Sequence, residues 1–165
     1  MHFLLSGGRV AVVPFVELAE ELKSYFSRHR QHIMRSPRHV GSIGPVRGFR
    51  MEFVLESHPL SILEELRLGA SGIRSGLSQW QLHPQPGVIA ETAVQAMHPS
   101  SRFVMALRVA PLDSALTFWV YPDSFALHRE LQEFVHRQGF EVAARPLPPG
   151  VPISGSPQGS RSIAQ

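Results

Sequence analysis

Cysteine is absent from the 165 residues, which excludes disulfides, thiolate catalysis and cysteine-held metals or iron–sulfur clusters together. Lysine is almost absent as well, Lys23 being the one exception among 16 cations that are otherwise arginine. Arginine is the better bidentate partner of phosphate and carboxylate, although GC-rich codon usage produces the same bias. No run approaches the roughly 18 consecutive apolar residues of a membrane helix. The apolar opening around Phe3-Leu4-Leu5 is too short for a secretory signal and has no cationic start. These absences describe a soluble, cytoplasmic protein with no membrane partner. A hydrophobic content of 43% against 18% charge is that of a globular chain, and the length suits one domain with its own core.

Acidic residues are missing from one stretch in particular. Residues 23 to 50 carry Lys23, Arg28, Arg30, Arg35, Arg38, Arg47 and Arg50 with no Asp or Glu. With those seven removed from the 16 cations, nine remain against 13 acids, a formal −4 beside a local +7. A one-signed patch focuses the field and attracts polyanions or acidic surfaces.

Local patterns predict a mixed α+β domain over residues 1–146. Val10-Ala11-Val12-Val13 reads as a short strand closed by Pro14. In 16–34, Leu18, Leu22, Tyr25, Phe26 and His29 recur at helical spacing, with Glu17, Glu20 and Glu21 early and cations late, as the helix dipole favours. Ser36-Pro37 stops that helix. Gly41-Ser42-Ile43-Gly44-Pro45-Val46-Arg47-Gly48 has the composition of a loop. Phe49, Met51, Phe53 and Leu55 then alternate with polar residues as in a half-buried strand. Leu60 to Leu68 reads as a short helix, and 69–100 is barely legible beyond a candidate strand at 77–82.

Further on, Phe103, Met105, Leu107 and Val109 alternate with Arg102, Val104, Ala106 and Arg108, which predicts a strand paired as a hairpin with 116–121. Asp123 or Ser124 caps a helix running to Gln138, Gly139 stops it, and 140–145 forms a last strand. Residues 147–165 are so rich in Pro, Gly and Ser that a flexible tail is expected. The expected sheet has about five strands, mixed or mainly antiparallel, with two main helices on one face.

Val12-Val13-Pro14 leading into Leu18, Leu22 and Tyr25-Phe26 is echoed by Val120-Tyr121-Pro122 leading into Leu127, Leu131 and Phe134-Val135. The echo suggests two βαβ-like halves.

Two constellations point to function. The basic segment can present arginines to phosphates, with Gly41, Gly44 and Gly48 allowing close backbone approach; the bland alternative is a solvated helix end paired with the acidic remainder. Trp119 and Tyr121, alternating with a core row, either form an open stacking platform interleaved with Arg50, Arg102, Arg108 and Arg145 or cover a packed helix. His29, His32 and His39 are spaced for a metal, but no carboxylate completes a shell and the arginines repel a cation. No serine stands in a nucleophile elbow or beside a base. Neither a metal nor a cofactor is implied. The sequence therefore predicts a non-enzymatic polyanion-binding module, nucleic acid first. A protein-interaction or assembly module with an acidic partner is the alternative, and a small hydrolase or nuclease the weaker one.

Overall fold

The protein is described by a computed structural model covering residues 1–68, 72–111 and 114–156, without the side chains of Glu64, Glu65 and Leu68. Residues 69–71, residues 112 and 113 between the two strands of the expected hairpin, and residues 157–165 of the expected tail lie outside the described residues. Among the described residues, no helix is long and apolar enough to cross a membrane.

A single mixed α+β domain is built on two four-stranded sheets rather than one of about five strands. The first sheet comprises β1 (His2–Ser6), β2 (Arg9–Val12), β6 (Leu116–Val120) and β7 (Val142–Pro146), in the order β2-β1-β6-β7. β1 runs antiparallel to β2 and parallel to β6, and β6 runs parallel to β7. The second sheet is antiparallel throughout, ordered β3 (Arg38–Val46), β4 (Phe49–Pro59), β5 (Ile73–Pro84) and β8 (Ile153–Gly155).

The inner strands β1 and β6 of the first sheet are buried on both faces, which explains the unbroken apolar runs Phe3-Leu4-Leu5 and Phe118-Trp119-Val120. One face, carrying Phe3, Leu5, Phe118 and Val120, packs with Phe103, Leu107, Leu131 and Val135 from helices α4 (Arg102–Val109) and α5 (Phe125–His136). The short α3 (Ala93–Ala96) adds Ala96 to that core. The opposite face, carrying Leu4, Ala11 and Trp119, shares a second core with α1 (Phe15–Met34) and with Phe49, Met51, Phe53 and Leu55 of β4. Arg50 and Glu52 lie exposed on the other face of that strand. The period-two reading of β4 is therefore that of a half-buried strand.

Four expectations are corrected. Residues 102–109 form a helix, not a strand: Phe103, Val104 and Leu107 are buried at helical spacing, whereas Met105 and Val109 are 56% and 76% exposed. The apparent alternation was chance, and the expected hairpin with 116–121 does not exist. The Ser101 hydroxyl accepts from Val104 N at 2.9 Å, and the Glu91 carboxylate accepts from Arg102 N and Phe103 N at 2.7 and 3.0 Å. Those caps satisfy the donors a helix start leaves open.

The glycine-rich stretch after α1 is a strand, not a loop. A Cβ on Gly41 would lie 2.6 Å from Phe53 Cζ, so glycine there permits close packing across the sheet rather than marking a turn. Gly44-Pro45 is a cis peptide, and the register shifts between Ile43 and Val46. The strand closes in a two-residue turn, Arg47-Gly48, with φ of 47° and 84°, the twist that suits a tight hairpin.

The internal echo is only local. β6, α5 and β7 make a parallel βαβ unit, whereas α1 leads from β2 in the first sheet to β3 in the second. Residues 147–155, expected as the start of the tail, are part of the body. Leu147 is buried, Ile153 pairs with Leu82, and Trp80 lies against Gly155. The Tyr121 hydroxyl donates to Val151 O at 2.6 Å. Burial of a few apolar side chains and a three-residue strand is enough to order a segment whose average composition argues otherwise.

Candidate functional site

α1 runs beside β3 and β4, and its C-terminal half is largely solvent-facing: residues 27–32 and Arg35 are all exposed, while Ile33 anchors it in the core. The helix ends with Arg35 N and Ser36 N bonded to His32 O and Ile33 O at 3.3 and 3.2 Å. Pro37 then fixes the exit, its carbonyl accepting from Ser57 N at 2.8 Å, so β3 begins next to the far end of β4. Arg28, Arg30, Arg35 and Arg38 are thereby gathered at one pole. Among the described residues none of these four forms an ion pair with a carboxylate. Arg38 pairs in register with Glu56 across the sheet, but the acid's ion-pair partner is His58 at 3.6 Å.

The other three cations of the segment go elsewhere. Lys23 Nζ lies 2.7 Å from Glu20. Arg47 occupies the hairpin turn at the opposite end of the nine-residue β3, roughly 25–30 Å from Arg38 at the rise of an extended strand, and pairs with Glu17 at 2.9 Å. Arg50 stands on the exposed face of the second sheet. Gly44 and Gly48 serve the hairpin. A Cβ at Gly48 would meet Val88 at 2.7 Å, and one at Gly44 would meet Phe49 O at 2.8 Å. The stretch that reads as one continuous patch is thus divided by the tertiary fold into an unpaired pole, two neutralised cations, Lys23 and Arg47, and Arg50 apart on the sheet face.

The pole also carries imidazoles. Tyr25 stacks on His29 at 4.2 Å, its hydroxyl shares a 3.0 Å hydrogen bond with His39 Nε2, and His32 meets His39 edge-on at 5.6 Å. Burial, His32 and His29 hold His39 below the ordinary imidazole range. No three His, Asp or Glu among the described residues are grouped to hold a metal ion.

Two shallow grooves flank the exposed part of α1. One, of about 440 Å³, is lined by Arg28, His29, His32 and Arg35. The other, of about 450 Å³, lies between α1 and the start of β5, with Phe26, Met34 and Ile73 as its apolar lining and Arg30 and Arg74 as its charges. Among the described residues, no carboxylate lines either groove. This second groove escaped the sequence reading, since Ile73 and Arg74 lie where no period is visible and only strand pairing brings them to α1.

Trp119 is not on an open stacking face: it is 7% exposed in the core between the two sheets. Arg145 covers its ring at 5.3 Å. Tyr121 is partly buried against residues 147–155, and Arg102 and Arg108 belong to helix α4. The expected platform is thus replaced by packing.

Trp119 Nε1 also donates to His2 Nδ1 at 3.4 Å, and the His2 ring lies 4.5 Å from that of Phe15. Burial, with smaller contributions from the residue 1 ammonium and Arg145, pushes His2 down to about 4 from an ordinary 6.5. The folded state therefore favours the neutral ring. Stability is fully present above pH 6.5 and is lost as pH falls from 6.5 towards 4. Because the ring keeps some solvent contact, screening limits the effect to about 1–2 kcal/mol. Comparing wild type with His2→Gln by denaturant unfolding at both ends of that window should show a smaller acid loss in the variant; identical losses would refute this assignment.

No family model matches the chain, and comparison with curated proteins and with solved structures likewise finds no match.

Proposed function

We propose that the protein is a non-enzymatic binding module for a polyanion, nucleic acid being the ligand whose chemistry fits best. The observation that carries this reading is the set Arg28, Arg30, Arg35 and Arg38, exposed together at one pole without carboxylate partners among the described residues. Guanidinium groups held this way can neutralise successive phosphates and release their counterions, which makes affinity strongly salt-dependent. The grooves beside them, whose described lining carries arginine and no carboxylate, suit an anion.

Labelled single- and double-stranded DNA and RNA titrated over a salt series should bind at low salt. A plot of log K against log salt should fall with a slope of about −3 to −4, as four phosphate contacts require. Absence of binding even at low salt would remove the proposal.

A second reading has its own observation. In α2 (Ile62–Leu68), which connects β4 to β5 at the same pole, Ile62, Leu63 and Leu66 are 77%, 74% and 75% exposed, as on a surface that covers itself with another protein. An acidic protein partner would give a stable complex in sedimentation or pull-down that survives nuclease treatment.

A further inference from the structure

Duplex and single strand differ in what they offer beyond phosphate, since an unpaired base exposes an apolar face that a paired one hides. The groove between α1 and β5 is suited to that difference. Phe26 and Met34, half-buried, and Ile73, 49% exposed, form an apolar lining beside the cationic edge supplied by Arg30. Its volume of about 450 Å³ falls within the range of small-molecule sites. A wholly apolar cleft would suit a hydrophobic side chain or lipid tail, and a wholly cationic one would not distinguish phosphate sources. An apolar lining edged by guanidinium matches a nucleotide, base inward and phosphate outward. Ile73 reaches this position because it pairs with Pro59 at the end of the β4–β5 ladder. Phe26 and Arg30 lie four residues apart on α1, so base and phosphate contacts rise from the same side of the helix.

We infer that this groove takes an unpaired base of a single-stranded nucleic acid, with Phe26, Met34 and Ile73 contacting the base and Arg30 the adjoining phosphate. The inference rests on the polyanion reading and narrows it to single strands.

The test uses the full chain with a labelled homopolymeric single strand and a duplex of the same length at one fixed low salt concentration. Wild type should favour the single strand by about tenfold. Ile73→Ser, at a 49% exposed position, and Met34→Ala, at a half-buried position outside both cores, should each reduce single-strand affinity about five- to tenfold. Both should leave duplex affinity and the salt slope unchanged. Arg30→Ala should instead lower the single-strand salt slope by about 0.7. Equal affinity for strand and duplex, with Ile73→Ser indistinguishable from wild type, would overturn the groove assignment while leaving the arginine pole intact. An equal loss on both nucleic acids would overturn it too. Failure to bind either would overturn the polyanion reading itself. Circular dichroism and thermal melting of each variant confirm that the fold is kept.

Discussion

Replacing Phe53 by alanine is expected to destabilise the protein by about 3–5 kcal/mol. Phe53 is 1% exposed, sits on the inner row of β4, and meets Tyr25 of α1 edge-on at 5.2 Å. Gly41 of the neighbouring strand approaches so closely that the ring occupies the space its side chain would need. Truncation removes both the transfer free energy of the ring and the contacts of everything packed around it. Collapse is limited because helix and sheet are tied by their ends, α1 through Pro37 and the sheet through its ladders. Against a total stability of roughly 5–15 kcal/mol, such a loss threatens folding. Denaturant unfolding should show a lower midpoint at constant slope, while Phe53→Leu should cost much less. A loss below about 1 kcal/mol for the alanine variant would contradict the packing described. Because Tyr25 holds His39, the alanine variant should also loosen the imidazole cluster at the pole.

Removing Arg28, Arg30, Arg35 and Arg38 together, each as alanine, is expected to lower affinity for single-stranded nucleic acid about a hundred- to thousandfold at low salt, and to flatten the salt slope by about 3. All four are exposed and lack carboxylate partners among the described residues, so each substitution should change stability by no more than about 0.5 kcal/mol. Lys23→Ala with Arg47→Ala removes two cations from the same stretch of sequence. Their charges are already compensated by Glu20 and Glu17, so that pair should alter affinity only slightly. Equal effects from the two sets would mean that only net charge matters and that no pole exists as a binding surface.

The contrast between those two sets marks how far the sequence was legible. Local rules sufficed where one signal dominated its neighbours. The amphipathic stripe of α1, the alternation of β4, and the turn before α5 followed by its glycine stop all appear in the fold near their expected positions. They failed where a residue type had a long-range purpose. Gly41 reads as a loop former but serves Phe53; Phe103 to Val109 alternates by accident while Ser101 and Glu91 cap it as a helix. β1 showed no period because both of its faces are buried.

By itself the sequence determined the α+β composition, the absence of thiol chemistry and the concentration of seven cations in 28 residues free of acids. Those properties belong to residues or to near neighbours along the chain, and they persist however the chain is arranged. Only the tertiary structure decided which of those cations are neutralised, that Trp119 is core rather than platform, and that Ile73 closes a groove with Phe26. Pairing and burial are relations between residues distant in sequence. They are settled by which strands hydrogen-bond and which faces lose water, and local pattern does not encode either.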